Sequence, residues 1–256
     1  MLSPNWLLLQ LGIHINLLQL VHGLISIPRY LKDLIQFKKN YRGSLGLFPC
    51  LHDWYEEAGI AKGEYFWQDL YVAQRIFKNH PVRHVDIGSR IDGFIAHVAS
   101  FREVEVFDIR PLKSSIPNVV FRQVDLMNPT FSLSNYCDSL SCLHALEHFG
   151  LERYGDPINP EGHIVGLQKM AELLQLKGLF YLSVPIGREK VEFNGHRIID
   201  PLYLLEVTTN LGLILDKFAY VDRNDTLVES TTPNHDMKQL SKLPYSPGIF
   251  TFIKQA

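Results

Sequence analysis

Three acidic side chains of this sequence each follow a short apolar run. Asp86, Asp108 and Asp125 stand at the ends of segments that read as buried strands. The carboxyl ends of neighbouring parallel strands meet at one edge of a sheet, and ligands bind at that edge. Carboxylates there accept hydrogen bonds from hydroxyl and amino groups. The spacing therefore predicts one cleft that binds a molecule rich in hydrogen-bond donors.

A glycine turn follows the first acid. Segment His84–Phe94 runs from an apolar strand through Gly88 into a helical pattern that starts near Gly93. Glycine lets the backbone approach a ligand closely because it has no Cβ. The G-x-G-x-x-G fingerprint of dinucleotide enzymes is not present, since Arg90 occupies the second glycine position. A nucleoside without phosphates, such as S-adenosylmethionine, suits an acid-flanked turn better than a pyrophosphate does.

Asp108 has the position of a ribose-binding acid. It ends the second strand about twenty residues after the glycine turn, where a carboxylate accepts both ribose hydroxyls of a bound nucleoside. The competing interpretation is that the three acids only cap the helices that follow them.

A histidine-rich segment follows the fourth strand. His144 and His148 are one helical turn apart, with Glu147 between them. A histidine near a reacting group removes a proton at neutral pH, so these three residues are candidate catalytic groups. A bracing role for Glu147 and His148 in the loop is the alternative. No second set of ligands accompanies the two histidines, so no metal site is predicted.

The surrounding elements alternate between strands and helices. Strands are predicted at seven places, with helices between most of them. This order predicts an α/β, three-layer, Rossmann-like fold whose mostly parallel seven-stranded sheet ends in an antiparallel strand. The last two strands are expected to pair as a hairpin, and their long connection, residues 222–247, is expected to be a surface excursion.

The order of these motifs resembles that of class I S-adenosylmethionine-dependent methyltransferases from about Tyr65 to Ala256. More specifically, four segments resemble a bacterial family known as domain of unknown function 268. These segments are Tyr65–Leu70, His84–Arg90, Ala99–Glu103 and Asp108–Pro111. Arg90 and Asp92 depart from the glycines that the broader class favours.

The resemblance implies a set of cofactor-binding residues. Asp86 would face the methionine amino group, directly or through water, and Gly88 would let the cofactor approach. Asp108 would hold the ribose, and Asp125 with Leu126 would contact the adenine. The complete cofactor set is Gln68, Asp86, Gly88, Ser89, Gly93, Asp108, Ile109, Asp125 and Leu126.

A second set of residues is assigned to the acceptor. His196 and Arg197 follow the fifth strand, and Tyr154 lies in a polar loop at the same expected edge. Cationic side chains of this kind bind anionic or sugar groups. The expected function is methyl transfer to a small-molecule or carbohydrate acceptor, in surface glycan synthesis. The alternative is a non-catalytic module of the same fold that acts as a membrane-associated scaffold.

The N-terminal region is apolar and then basic. No charged residue precedes Arg29, and the segment from Trp6 to Ile27 is rich in Leu and Ile. Three interpretations remain open: a helix packed on the domain or a partner, a helix on the membrane surface, and a membrane span. Basic residues after the segment favour a cytoplasmic location, at the inner face of the membrane. The predicted divisions are an apolar segment 1–42, a connection with a lid helix 43–80, and the methyltransferase-like domain 81–256.

Composition narrows the partners. The chain of 256 residues has a formal net charge of -2, so binding to nucleic acid through phosphate contacts is not expected. The three cysteines lack a CxxC pair, which disfavours a disulfide framework and indicates a reducing compartment.

Overall fold

The computed structural model describes residues 17–59 and 61–255. The chain divides into two compact units, Met1–Ile60 and Ala61–Ala256. In the first unit, helix α1 spans Leu17–Asn40 and a single 3-10 turn spans Asp53–Tyr55. The part of the predicted N-terminal helix before residue 17 lies outside the described residues. Over the described ranges, the structure contains no helix whose length and apolar character would suffice to cross a bilayer.

The second unit is an alternating α/β structure. Helix α2 spans Glu64–Asn79 and precedes the first strand, so the lid helix belongs to this unit. The remaining bounds are β1 His84–Ile87, a π-helical turn Ile91–Ile95, α3 Ala96–Ala99, β2 Val104–Asp108, β3 Val119–Gln123, β4 Cys137–Leu143, a 3-10 turn Leu146–His148, α4 Gly162–Leu173, β5 Leu174–Ile186, β6 Lys190–Glu192, β7 His196–Ile198, α5 Pro201–Asn210, β8 Leu213–Val221, β9 Leu227–Glu229, α6 Pro233–Leu240 and β10 Ser246–Lys254.

The strands form one large sheet in the order β3-β2-β1-β4-β5-β10-β8-β9. Strands β1 to β5 are parallel to their neighbours, and β10 runs antiparallel between β5 and β8. The strand order reverses at β1, whose neighbours are β2 and β4. This reversal opens a crevice at the carboxyl edge of the sheet, which is where ligands of open α/β sheets bind.

Two hydrophobic cores lie on opposite faces of this sheet. Along β5, Phe180 and Leu182 belong to one core, and Tyr181 between them belongs to the other. Successive side chains of a strand point to opposite faces, so this alternation places helices on both sides. Helices α4 and α5 cover the first face, and α2 and α3 cover the second. The expected three-layer Rossmann-like fold is therefore confirmed.

The described structure differs from the sequence prediction near its C-terminal edge. The large sheet has eight strands because Leu227–Glu229 adds to β8, and Lys190–Glu192 with His196–Ile198 forms a separate two-stranded sheet. The connection predicted as an excursion contains this extra strand and helix α6, which begins at Pro233. The helix is short and mostly polar, and it buries only Met237 and Leu240, so its sequence has no clear helical pattern. The predicted antiparallel pairing of the last two strands is confirmed.

Candidate functional site

A solvent-accessible cleft lies at the carboxyl edge of the sheet, where the strand order reverses. The space between its walls is about 1080 Å³ when it is counted out to bulk solvent. The expected cofactor residues on its wall are Gly88, Asp108, Ile109, Asp125 and Leu126. The structure thus brings together five of the nine residues assigned to the cofactor.

The glycine turn forms the floor of this cleft. Gly88 has a φ of 70°, and a Cβ added there would lie 3.0 Å from the Cβ of Ala145. Its N–H donates to the carbonyl oxygen of Phe107 at 2.9 Å, which ties the turn to β2. Only glycine combines this left-handed conformation with so close an approach of β1 to the loop after β4.

Asp86 lies beneath the turn rather than on the cleft wall. Its side chain is fully buried and accepts hydrogen bonds from the Ser89 N–H at 2.9 Å, the Ser89 hydroxyl at 2.7 Å and the Ser141 hydroxyl at 2.5 Å. Burial raises the pKa of Asp86 to about 7. Neither Asp86 nor Ser89 lines the cleft. Both side chains shape the turn from below, and their contact with the cofactor, for Asp86 directly or through water, stays a prediction.

Gln68 and Gly93 likewise pack elements together instead of lining the cleft. The Ser183 hydroxyl donates to Gln68 Oε1 at 2.6 Å, and Gln68 Nε2 donates to Asp69 at 3.1 Å. A Cβ at Gly93 would stand 2.6 Å from Asp69 Oδ2. Both residues let α2 pack against its neighbours, and the cofactor role predicted for them stays a prediction.

Asp108 is already paired on the cleft wall. The Arg110 guanidinium donates from Nε at 3.0 Å and from Nη2 at 2.6 Å, one bond to each carboxylate oxygen. The Arg110 backbone N–H adds a third bond at 2.8 Å. The same guanidinium lies 4.4 Å from the centre of the Tyr154 ring. A ligand that uses Asp108 must therefore share it with Arg110 or displace that side chain.

Asp125 follows β3 at the neighbouring strand end. Its Oδ1 accepts the Met127 N–H at 2.9 Å, so one carboxylate oxygen holds the turn after the strand. Leu126 beside it is buried and lines the cleft. This pairing of an acid with an apolar wall suits a heterocycle that carries an amino group.

A buried histidine and glutamate stand across the cleft from these acids. His144 Nδ1 lies 3.4 Å from Glu147 Oε1, and both side chains are almost fully buried. Burial alone would lower the pKa of His144, but the hydrogen bond and charge of Glu147 outweigh it, so the pKa is raised. Burial would raise the pKa of Glu147, but His144 outweighs burial and the pKa is lowered. Both pKa shifts have the direction expected for a buried histidine and glutamate that interact with each other.

Each partner of this pair retains a buried polar atom without a hydrogen bond. These atoms are His144 Nε2 and Glu147 Oε2. Buried polar groups are almost always hydrogen-bonded, so two orphaned atoms on one cleft wall mark a place for ligand groups. His144 also has a φ of 48°, an uncommon backbone conformation that clusters at functional sites.

His148 faces the same wall but has a different environment. Its Nδ1 lies 2.8 Å from the Gly195 carbonyl oxygen, which also accepts from Arg153 at 2.7 Å. Burial lowers the pKa of His148, so this histidine is neutral at a pH where His144 is charged. Its Nε2 lies 3.7 Å from Glu147. The three predicted catalytic residues are thus adjacent, and His144 has the orphaned ring nitrogen.

The acceptor residues divide into two groups. His196 and Tyr154 line the cleft as expected. Arg197 is buried, and its guanidinium donates to the carbonyl oxygens of Phe149 at 2.5 Å and Pro160 at 3.0 Å. Backbone carbonyl groups therefore surround its guanidinium, and the acceptor-binding role predicted for Arg197 stays a prediction. Arg197 holds the loop that forms the cleft wall.

Sequence reasoning assigned no role to Glu64 and Tyr245, which also line the cleft. The Tyr245 hydroxyl donates to Glu64 Oε2, and Glu64 Oε1 lies 3.9 Å from His144 Nδ1. Tyr65 covers His144, with ring centres 5.2 Å apart. Glu64 and Tyr65 adjoin the motif noted before the first strand, whereas Tyr245 has no recognisable sequence signal because it comes from the loop before β10.

The two residues that depart from the glycine pattern form an ion pair with each other. Arg90 Nη2 lies 2.8 Å from Asp92 Oδ2, and both side chains are exposed. The Arg90 guanidinium also lies 5.4 Å from the centre of the Tyr65 ring, and Arg90 lines the cleft. Arg90 therefore lies on the cleft wall beside Tyr65, with its guanidinium exposed.

The sequence places no metal at this cleft, and the described residues offer one metal-like group elsewhere. His52, Asp53 and Glu56 of the first unit have ligand atoms within 4.8 Å of one another. Two of these three side chains are exposed, and exposed acidic groups of this kind are common without an ion.

The comparisons with known proteins agree with this architecture. The family model described as "Caenorhabditis protein of unknown function, DUF268" matches residues 107–242, more than half of the chain. That description names Caenorhabditis, so the bacterial origin expected for the family is not supported. A search of the curated proteins found no match.

Solved structures share the fold. A Burkholderia thailandensis 1,6-didemethyltoxoflavin-N1-methyltransferase with bound S-adenosylhomocysteine is 16% identical, with 89% of this chain and 90% of that chain covered and a TM-score of 0.51. A Haemonchus contortus phosphoethanolamine N-methyltransferase 2 is 11% identical, with 80% and 57% covered and a TM-score of 0.52. The [4+2]-cyclase SpnF is 16% identical, with 74% and 81% covered and a TM-score of 0.52. At such identities the likeness shows the fold alone.

Proposed function

For a chain that belongs to the family described as "Caenorhabditis protein of unknown function, DUF268", we propose S-adenosylmethionine-dependent methyl transfer to a small-molecule or carbohydrate acceptor. One observation carries the proposal. Asp108 and Asp125, at adjacent strand ends, share a single cleft with the Gly88 turn and the orphaned His144 Nε2. The cleft thus combines nucleoside-binding groups with a group that accepts a proton.

The residues present fit the proposed cofactor. The Gly88 turn leaves room that a Cβ would narrow, and Asp108 offers two carboxylate oxygens to a pair of vicinal hydroxyls. Asp125 and Leu126 offer an acceptor and an apolar surface to an amino-bearing ring. S-adenosylmethionine, when bound, supplies a methyl group on a sulfonium. Two of the structures that share the fold carry its demethylated product, S-adenosylhomocysteine, in their descriptions.

The chain's own residues then divide the remaining work. Glu147 holds His144 through Nδ1, which leaves Nε2 for the acceptor. In its neutral form His144 accepts the proton that a hydroxyl or amine loses when it gains a methyl group. Tyr65 and Tyr245 line this end of the cleft, and the Tyr65 ring packs beside the His144 ring. His196 and Tyr154 remain for contacts with the rest of the acceptor, including a sugar.

The test is cofactor binding with a matched pair of variants. Isothermal calorimetry with S-adenosylhomocysteine should give micromolar binding for the parent protein, equivalent to about -8 kcal/mol. Asp108→Asn should weaken it at least about tenfold, because a neutral amide accepts less strongly from two hydroxyls. Asp216→Asn, at an exposed position on β8 outside the cleft, should bind like the parent. Equal affinity of the parent and Asp108→Asn would refute the ribose assignment.

A non-catalytic module of the same fold is the second candidate. The observation that favours it is the Asp108–Arg110 pair, in which Arg110 satisfies the Asp108 carboxylate without any ligand. The fold also hosts reactions other than methyl transfer, as the cyclase shows. Radiolabelled methyl transfer over a panel of hydroxyl and amino acceptors separates the two. Binding without turnover on the whole panel would favour the module.

A further inference from the structure

We propose that helix α1 lies on an anionic membrane surface, such as the cytoplasmic leaflet offers. The proposal concerns the first unit and does not depend on methyl transfer. It rests on an amphipathic arrangement in which the polar face of the helix is covered and the apolar face is exposed.

The covered face of α1 carries polar and small residues. The His22 ring stacks on the Tyr55 ring with centres 4.1 Å apart, and the Arg29 guanidinium lies 4.0 Å from the centre of the Trp54 ring. Ser26 between them on this face is 2% exposed. The segment around the 3-10 turn Asp53–Tyr55 therefore packs against the polar side of α1, which would ordinarily face water.

The opposite face carries a stripe of five aliphatic side chains, spaced 4, 3, 7 and 4 residues apart, which is one row along a helix. The members of this stripe and their exposed fractions are Leu17 70%, Val21 42%, Leu24 60%, Leu31 49% and Ile35 62%. The row extends about 27 Å at 1.5 Å per residue. A continuous exposed aliphatic row of this length marks a surface that binds an apolar partner.

The charge of the same helix points to an anionic partner. Lys38 and Lys39 continue the row three and four residues after Ile35, and Lys32 lies beside it. Between Arg29 and Arg42 the chain has five basic residues and the single acid Asp33, in a protein whose net charge is -2. Lysine stems lie along apolar surface while their ammonium groups reach outward to phosphates.

These features favour a bilayer over an acidic protein as the occupant. The stripe is aliphatic on both sides of Pro28, which lies in the same row, and helices that lie in the plane of a membrane interface carry such an apolar face. An interface with a folded protein is typically richer in aromatic anchors.

The test is sedimentation of the full chain with vesicles at physiological salt. The parent should bind vesicles of phosphatidylcholine mixed with phosphatidylserine at least about tenfold more tightly than vesicles of phosphatidylcholine alone. Leu24→Glu with Leu31→Glu should lose this binding. The matched pair Ile158→Glu with Leu176→Glu, at exposed aliphatic positions of the second unit, should retain it.

A charge variant keeps the proposal falsifiable if the stripe variant misfolds. Lys38→Ser with Lys39→Ser should weaken binding to the anionic vesicles, whereas Lys113→Ser with Lys242→Ser should not. Equal binding to both kinds of vesicle, or to neither, would overturn the proposal. A stripe-dependent dimer or complex with an acidic protein, seen by light scattering without vesicle binding, would also overturn it and assign the stripe to that partner.

Discussion

The Asp86 carboxyl group has no contact with solvent. This burial raises its pKa to about 7. A folded-state pKa above the unfolded value makes the folded protein bind the proton more tightly. The contribution of Asp86 to stability is therefore greatest at low pH and is lost as pH rises from about 4 to about 7. We expect the parent to lose about 2–3 kcal/mol relative to Asp86→Asn between pH 5 and pH 8.

Urea denaturation of both proteins at the two pH values measures this difference. Burial also raises the pKa of Asp69 to about 6. Because Asp69 is present in both proteins, its contribution to the pH dependence largely cancels in the comparison. A parent-minus-variant difference that stays constant with pH would show that Asp86 is ionised throughout.

The His144–Glu147 pair gives a second prediction at the residue scale. Glu147→Gln removes the charge that outweighs burial, so the pKa of His144 should fall. Imidazole NMR titration measures this pKa directly. Glu161→Gln, a change of an exposed glutamate outside the cleft, should leave the titration unchanged. An unshifted His144 in Glu147→Gln would mean that the pair does not interact in solution.

At the scale of elements, the loop between the 3-10 turn Leu146–His148 and α4 forms one wall of the cleft. Gly150 has a φ of 76°, and a Cβ there would stand 2.0 Å from the Asn159 carbonyl oxygen. Gly150→Ala therefore combines backbone strain with a clash and should cost more than about 2 kcal/mol of unfolding free energy. Gly155→Ala has a similar φ of 84° in open space and should cost only about 1 kcal/mol. Urea denaturation of both variants tests the contrast, and equal costs would contradict it.

The sequence predicts a strand or helix correctly where its apolar residues follow one clear period. Apolar runs bounded by glycine or polar residues predict strands at His84–Ile87 and Leu213–Val221, and β1 and β8 have these bounds. The helical spacing of residues 161–176 predicts that Leu174 belongs to a helix, but β5 begins at Leu174, where it pairs with Cys137. Helix α6 was not predicted because its apolar face is only two buried residues wide.

At the scale of the whole molecule, every residue that lines the cleft belongs to the unit Ala61–Ala256. We expect a protein that begins at Ala61 to unfold in a single cooperative transition and to bind S-adenosylhomocysteine with the affinity of the full chain. Circular dichroism during thermal unfolding and calorimetry measure the two properties. Loss of binding in a well-folded fragment would show that residues before Ala61 contribute to the site.

The sequence by itself determined the alternation of strands and helices, the acid at each strand end and the histidine segment after β4. These follow from local periodicity and chain order, which residue types encode directly. Only the tertiary structure decided which of those groups face the cleft. Asp86 and Arg197 are polar, yet serine hydroxyls and backbone carbonyls from distant segments enclose them. The Tyr245 hydroxyl donates a hydrogen bond to Glu64, which is 181 positions away in the sequence. Such contacts depend on how layers pack, and no local pattern records them.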